Sequence, residues 1–301
     1  MCLPNPVMTA SGTAGHGAEL ARYVDLSTLG AVVVKSLSAE PWAGNPAPRV
    51  TEVDAGMLNS VGLQNPGVEA WLEDELPALL ATGARVVASV WGFTVEAYEK
   101  AATALAAAPA QVVAVEVNLS CPNVHNVARS GEDRMFAHSP ALTREAVAAT
   151  AGCGRPRWAK LSPNVTDLVD IAGAAFEAGA EALTLVNTLM GLAIDPDTRR
   201  PRLGAGGGGL SGPAIRPVAV RAVYDVCAAF PDASVVGVGG VATGEHAVEM
   251  LLAGAAAVQV GTATFADPRA PATVLAGLER WCSRHGVAAV ADLVGRARAD
   301  T

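Results

Sequence analysis

A (β/α)8 TIM barrel, within the α/β class, is the fold this sequence predicts, and three observations predict it. Short β-rich runs alternate with longer Ala-rich stretches along the whole chain. Most of those runs are apolar at every position, as parallel strands covered on both faces must be. The glycine-rich turns fall late, whereas a doubly wound sheet, the structural rival, would usually carry a phosphate loop after its first strand. Eight strand–helix units in 301 residues also match the size of such a barrel.

Taken in order, strands are expected at 6–10, 31–35, 85–90, 112–119, 157–161, 182–187, 234–238 and 257–261. Helices are expected between them at 68–82, 95–107, 140–151, 165–178, 213–229 and 244–253. Ser139 before Pro140 and Thr243 before Gly244-Glu245 are start signals, because a hydroxyl there accepts from the free N–H groups of the first helical turn. Gly179 and Gly254 are stops placed just past the apolar face. The stretch 191–212, with Asp195-Pro196-Asp197 and the run Gly206 to Gly209, reads as a flexible insertion after the sixth strand, over the barrel mouth. Residues 1–301 show no boundary and read as one domain.

Composition narrows the function. Hydrophobic residues make up 51% of the chain and charged ones 17%, enough apolar matter for a continuous core. No window of about eighteen residues is free of polar or breaking residues, which argues against a membrane span. The start, Met1-Cys2-Leu3-Pro4-Asn5-Pro6, lacks the basic and apolar parts of a signal peptide, so a cytoplasmic protein is expected. Five scattered cysteines, Cys2, Cys121, Cys153, Cys227 and Cys282, form no CxxC pair. That argues against a disulfide framework and against a metal or iron–sulfur site in this chain. A net charge of −8 with no cluster of Lys and Arg disfavours a nucleic-acid surface.

The active site of such a barrel lies at the C-terminal ends of its strands. Those positions here are polar or glycine: Ser11-Gly12, Lys35-Ser36, Ser89, Asn118, Cys121, Lys160, Asn187-Thr188, Gly239-Gly240 and Gly261-Thr262. Glycines after the last two strands let backbone N–H groups approach phosphate oxygens without a Cβ in the way, which predicts a phosphate-bearing cofactor. In Asn118-Leu119-Ser120-Cys121-Pro122-Asn123, the proline stops the strand and turns the thiol towards the mouth. A partly ionised thiol takes a proton, and the flanking amides answer both N–H and C=O edges of a planar ligand.

Several segments together resemble the dihydroorotate dehydrogenase family. They are Thr9-Ala10-Ser11-Gly12-Thr13, the run from Met57 through Asn59-Ser60-Val61-Gly62-Leu63 to Gly67, Asn118 to Asn123, Val186-Asn187-Thr188, Gly209 to Pro213, and Gly239-Gly240. The likeness runs from about Pro6 to Phe265, and Glu40 to Arg49 with Gly62 to Pro66 is more similar to the class 1 enzymes that pass electrons to NAD. The resemblance implies FMN as cofactor and a dihydropyrimidine, dihydroorotate, as substrate. It implies that Cys121 is the base that takes the C5 proton while hydride leaves C6. Lys35, Asn59, Ser60, Val61, Gly62, Leu63, Asn118, Asn123, Asn187 and Thr188 would then line the substrate pocket. FMN would be held by Ser11, Lys35, Ser36, Ser89, Asn118, Lys160, Val186, Gly212, Gly239, Gly240, Gly261 and Thr262. A homodimer is implied, as is a second subunit carrying FAD and an iron–sulfur cluster.

Lys160 has its own physical rationale: a cation beside the flavin edge that gains negative charge stabilises the reduced form. Ser89 stands where members usually carry Asn, and Ala14 where an aromatic residue is usual. The loop 124–138 is longer than the short glycine-rich loop typical of class 1. That difference motivates an alternative, an FMN-dependent dehydrogenase or reductase of another dihydropyrimidine or cyclic amide. Fumarate, quinone and oxygen are the alternative electron acceptors to NAD, and a non-catalytic phosphate-binding barrel is the alternative of a different class.

Overall fold

A computed structural model describes residues 3–119 and 135–298. Its strands are Val7–Thr9 (β1), Val32–Val33 (β2), Val50–Val53 (β3), Gly56–Asn59 (β4), Val86–Val90 (β5), Val112–Asn118 (β6), Arg157–Lys160 (β7), Ala182–Leu185 (β8), Leu189–Gly191 (β9), Ile194–Asp195 (β10), Arg200–Pro201 (β11), Gly208–Ser211 (β12), Val235–Val238 (β13) and Ala257–Val260 (β14). An eight-stranded sheet runs β1-β14-β13-β8-β7-β6-β5-β2, every neighbouring pair parallel. A parallel bridge between Met8 and Ala31 joins the two ends of that order. The Thr9 hydroxyl strengthens the seam, accepting from Val33 N at 2.9 Å and lying 3.3 Å from Val33 O. The (β/α)8 barrel is therefore the observed fold, its eight strands lying where apolar runs were expected.

The helices are Val68–Ala70 (α1), Leu76–Ala81 (α2), Val95–Leu105 (α3), Pro140–Ala149 (α4), Leu168–Glu177 (α5), Arg216–Ala229 (α6), Gly244–Ala253 (α7), Ala263–Ala266 (α8) and Ala270–Arg284 (α9). Ser139 caps α4 by accepting from Leu142 N, and Thr243 caps α7 by accepting from His246 N. The helix expected over 68–82 is broken by a π-turn at Trp71–Glu75. Pro77 explains it: the ring has no N–H and crowds the carbonyl four residues back, so the preceding turn widens. Helix α5 begins at Leu168 rather than 165, because the Asp167 carboxylate takes the Asp170 N–H and fixes the start there. Helices α8 and α9 were not anticipated. α9 packs on α7 at two glycines, where a Cβ on Gly244 would stand 2.2 Å from the Gly277 carbonyl carbon.

The stretch 191–212, expected as a flexible insertion after the sixth barrel strand, follows that strand and carries regular structure. It carries the β10–β11 hairpin, and β12 lies between β4 and β9 in an antiparallel sheet ordered β3-β4-β12-β9. Gly208 and Gly209 serve close packing. A Cβ on Gly208 would sit 2.4 Å from Asn59 O, and one on Gly209 would sit 2.1 Å from the Thr188 hydroxyl.

Inside the barrel the residues stack in layers, since positions two apart on a strand share a face. One buried cluster joins Met8, Val33, Val87, Ala114, Trp158, Ala182, Val236 and Ala257. Two residues further along the same strands stand Ala10, Lys35, Ser89, Glu116, Lys160, Thr184, Val238 and Gln259. The lumen thus changes from apolar to largely polar over one step of the pleat. Beyond the apolar layer, at the N-terminal ends of the strands, lies a cavity of about 940 Å³ lined mainly by groups such as Leu3, Pro6, Val235, Leu278 and Val290.

Candidate active site

At the C-terminal ends of the strands one cleft gathers most of the expected residues. Ser11, Lys35, Ser36, Asn59, Val61, Gly62, Leu63, Asn118, Lys160, Val186, Asn187, Thr188, Gly212, Gly239, Gly240, Gly261 and Thr262 all line it. Met57, Ser211, Ile215 and Phe265, which were not anticipated, line it as well. Strand ends place these groups because the chain must leave each strand at the same rim of the barrel.

A hydrogen-bonded row crosses the cleft floor. Ser11 Oγ lies 3.2 Å from Ser36 Oγ, which accepts from Asn118 Nδ2 at 3.0 Å. Asn118 Oδ1 in turn accepts from Asn187 Nδ2 at 3.2 Å, and Asn187 Oδ1 accepts from Thr188 N at 2.8 Å. Tyr98 fixes the main chain beneath by donating to Asn118 O at 2.7 Å. Each amide therefore has its orientation set before any ligand arrives, which lowers the ordering cost of binding.

Two expected contacts fall elsewhere. Ser89 is wholly buried and does not line the cleft; its hydroxyl lies 2.9 Å from Ser36 Oγ, behind that residue. Ser60 is also wholly buried, and its hydroxyl accepts from Asn45 Nδ2 at 2.9 Å. Ser60 follows from alternation, since it sits between Asn59 and Val61, which line the cleft, whereas Ser89 shares the lumen-facing side of its strand but stands one level behind Ser36. Cys121 and Asn123 lie outside the described residues.

The segment following the second strand is braced by polar contacts. Trp42 Nε1 donates to Gly62 O at 2.9 Å, and Asn45 N donates to Val61 O at 3.0 Å. Arg49 reaches both Gln64 and Ala43 O. Opposite, Asn164 bridges the rim: its Nδ2 donates to Thr188 O at 3.0 Å and its Oδ1 accepts from Met190 N at 2.8 Å. Neither Asn45 nor Asn164 was among the site residues expected from the sequence.

Gly212, Gly239 and Gly240 have φ of +98°, +131° and +71°, where side chains are disfavoured. A Cβ on Gly240 would stand 2.6 Å from Arg216 Cβ, and one on Gly239 2.8 Å from Ala219 Cβ. These turns leave a cradle of bare backbone beside the first turn leading into α6. Across the cleft Lys160, almost fully buried, meets the wholly buried Glu116 at 3.4 Å.

His16 lies half-buried near Lys35, and burial first, then the Lys35 charge, lowers its pKa against the opposing pull of Glu19. Burial pushes the thiols of Cys153 and Cys227 up, so both remain protonated packing groups. Among the described residues no group of three His, Cys, Asp or Glu is arranged to hold a metal, and no helix is long and apolar enough to cross a membrane.

Bare backbone turns suited to a phosphate, a buried cation and a row of preset amides, all at one mouth of a parallel barrel, define the class: a TIM-barrel oxidoreductase built around a phosphorylated cofactor. Residues 1–281 match the family model described as dihydroorotate dehydrogenase, and the chain belongs to that family, in its class 1. Members are FMN-dependent oxidoreductases of pyrimidine biosynthesis that act on a CH–CH bond. The chain is 48% identical over 294 residues to the dihydroorotate dehydrogenase B (NAD(+)) catalytic subunit of Pelobacter propionicus, covering 97% of this chain and 94% of that one. It is 50% identical over 298 residues to the like-named subunit of Desulforudis audaxviator, covering 99% and 95%. A provisionally named dihydroorotate dehydrogenase A (fumarate) of Solibacter usitatus is 50% identical over 296 residues, covering 98% and 95%.

Proposed function

We propose that residues 1–301 form one FMN-binding domain that oxidises dihydroorotate to orotate at the cleft just described. The observation that carries the reading is the convergence of Lys35, Lys160 and the Asn59, Asn118 and Asn187 amides on one cleft with the Gly212, Gly239 and Gly240 cradle. These turns line the cleft with backbone that carries no side chain, which suits the phosphate of FMN. Ser11, Ser36, Val186, Gly261 and Thr262 complete the cofactor site in this reading. When bound, FMN supplies the two-electron acceptor.

The chain's own groups do the rest. Lys35 pairs with the substrate carboxylate, and Asn59, Asn118, Asn123, Asn187 and Thr188 hold the ring by its N–H and C=O edges. Val61, Gly62 and Leu63 present the braced backbone that orients it. Cys121 takes the proton from C5, and Lys160 places positive charge where the acceptor becomes anionic.

Electrons then pass to a separate subunit that carries FAD and an iron–sulfur cluster and reduces NAD, within a homodimeric, cytoplasmic assembly. The names of the Pelobacter and Desulforudis relatives support a partner subunit. The Solibacter name makes fumarate the acceptor to test against it.

The test is anaerobic mixing of the yellow protein with dihydroorotate and, separately, with dihydrouracil. Rapid bleaching of the flavin by dihydroorotate alone is the expected result. Bleaching by dihydrouracil alone would replace the proposed substrate, and a colourless protein that refuses FMN would remove the catalytic reading.

A further inference from the structure

Glu116 is a charged side chain that the proposed chemistry does not use. It is wholly buried in the barrel lumen and lies outside the cleft lining. Three other strands turn donors towards it: Lys160 Nζ from β7 at 3.4 Å, Thr184 Oγ1 from β8 at 3.1 Å and Gln259 Nε2 from β14 at 2.8 Å. Of these, only Lys160 also lines the cleft. The carboxylate therefore stands behind the ammonium, on the side away from the ligand.

Burying an ion pair is a poor route to stability, because desolvating two charges offsets most of their attraction. The layer directly below is apolar, so apolar packing is available to this barrel. Gln259 adds an independent sign. Its NH2 is turned to Glu116, and its buried Oε1 meets no hydrogen-bond partner among the described residues. The amide is thus turned by the charge on Glu116, to which its NH2 donates.

We infer that Glu116 is a positioning residue that holds Lys160 against the cleft floor and offsets its charge, thereby setting how strongly the bound flavin is drawn to its anionic reduced form. The inference rests on the FMN reading above.

The test is a sulfite titration of the FMN-loaded protein. Sulfite donates its sulfur electron pair to the flavin ring and leaves the ring anionic, so adduct strength reports the positive charge delivered there. Glu116→Gln keeps side-chain length and an acceptor for Lys160 while removing the charge. It should tighten the adduct about tenfold and raise the two-electron midpoint potential by roughly 30 mV, the equivalent of that factor. Lys160→Met should loosen the adduct. Glu116→Asp withdraws the carboxylate by one methylene and should lie between wild type and Gln; it supplies the reading should the Gln variant fail to fold.

An adduct in the Gln variant no tighter than wild type overturns the inference. So does an Asp variant that matches wild type where Gln does not fold. A merely structural Glu116 would lower flavin content and leave the potential of the retained flavin unchanged. A wild-type protein that binds no FMN overturns the parent reading and this inference together, whereas normal wild-type flavin with an unresponsive Glu116 overturns the inference alone.

Discussion

The two ends of the barrel are made by the same strands, yet they are built on opposite plans. Towards the N-terminal ends, Val87, Ala114, Trp158, Ala182 and Val236 close the lumen with apolar packing and leave an apolar cavity below. One pleat further on, Ser89, Glu116, Lys160 and Thr184 occupy the equivalent inward positions, and the cleft opens above them. The difference teaches that stability and chemistry are separated along the barrel axis, so substitutions at the two ends should fail in different ways.

The largest expected effect lies at the polar end. Cys121→Ala should lower turnover by about 10²–10⁴, the usual contribution of a general base, while flavin content stays normal. Cys121→Ser should keep slow activity that rises with pH, since a hydroxyl is the poorer base. Steady-state rates beside the flavin absorbance check both. Full activity in the Ala variant would remove the assigned base.

Gly240→Ala comes next, because its Cβ meets Arg216 Cβ at 2.6 Å in a backbone region that only glycine adopts freely. FMN affinity should fall at least about tenfold, the equivalent of roughly 1.4 kcal/mol, as read by fluorescence titration. At the apolar end, Leu278→Ala removes a buried side chain from the cavity wall. It should cost about 2 kcal/mol in a denaturation curve and leave kcat/KM unchanged. A loss of rate in the folded variant would mean that the two ends are coupled.

His16 offers a finer test. Its lowered pKa means that the folded protein holds the imidazole neutral where the unfolded chain would protonate it. Its contribution is thus retained above the ordinary histidine range and lost as pH falls through the lowered value. Between about pH 7 and pH 5, the melting temperature of wild type should drop further than that of His16→Phe. The smallest effect is expected for Thr243→Ala, about 1 kcal/mol from the lost cap of α7, with FMN affinity unaltered.

The same comparison explains what could be read from the sequence. All eight barrel strands were legible, because full burial on both faces leaves no polar residue in runs such as Val86–Val90 apart from Ser89. The glycines of the cradle were legible because they follow strands directly. Ser60 was misplaced for a reason of phase, since a list of polar residues near strand ends does not say which of two adjacent ones faces the cleft; Ser89 was misplaced in depth, facing the lumen one level behind Ser36.

Glu116 and Gln259 were visible as polar residues within largely apolar strands, yet only the barrel's closure brings β6 and β14 near enough for a 2.8 Å contact. The strands of 191–212 were missed because Gly208 and Gly209 suggest flexibility in sequence. In the fold they are small so that Asn59 and Thr188 can approach. Asn164 works through main-chain atoms of Thr188 and Met190, and such a role leaves no pattern in composition or spacing.

A crystal structure of the protein grown with FMN and orotate tests the central claim most directly. The account predicts the isoalloxazine in the polar cleft with its N1–C2=O edge facing Lys160, the phosphate at Gly239-Gly240, and orotate beside Asn118 and Asn187. Flavin density in the apolar cavity at the opposite end, or a cleft that stays empty at saturating FMN, would contradict it.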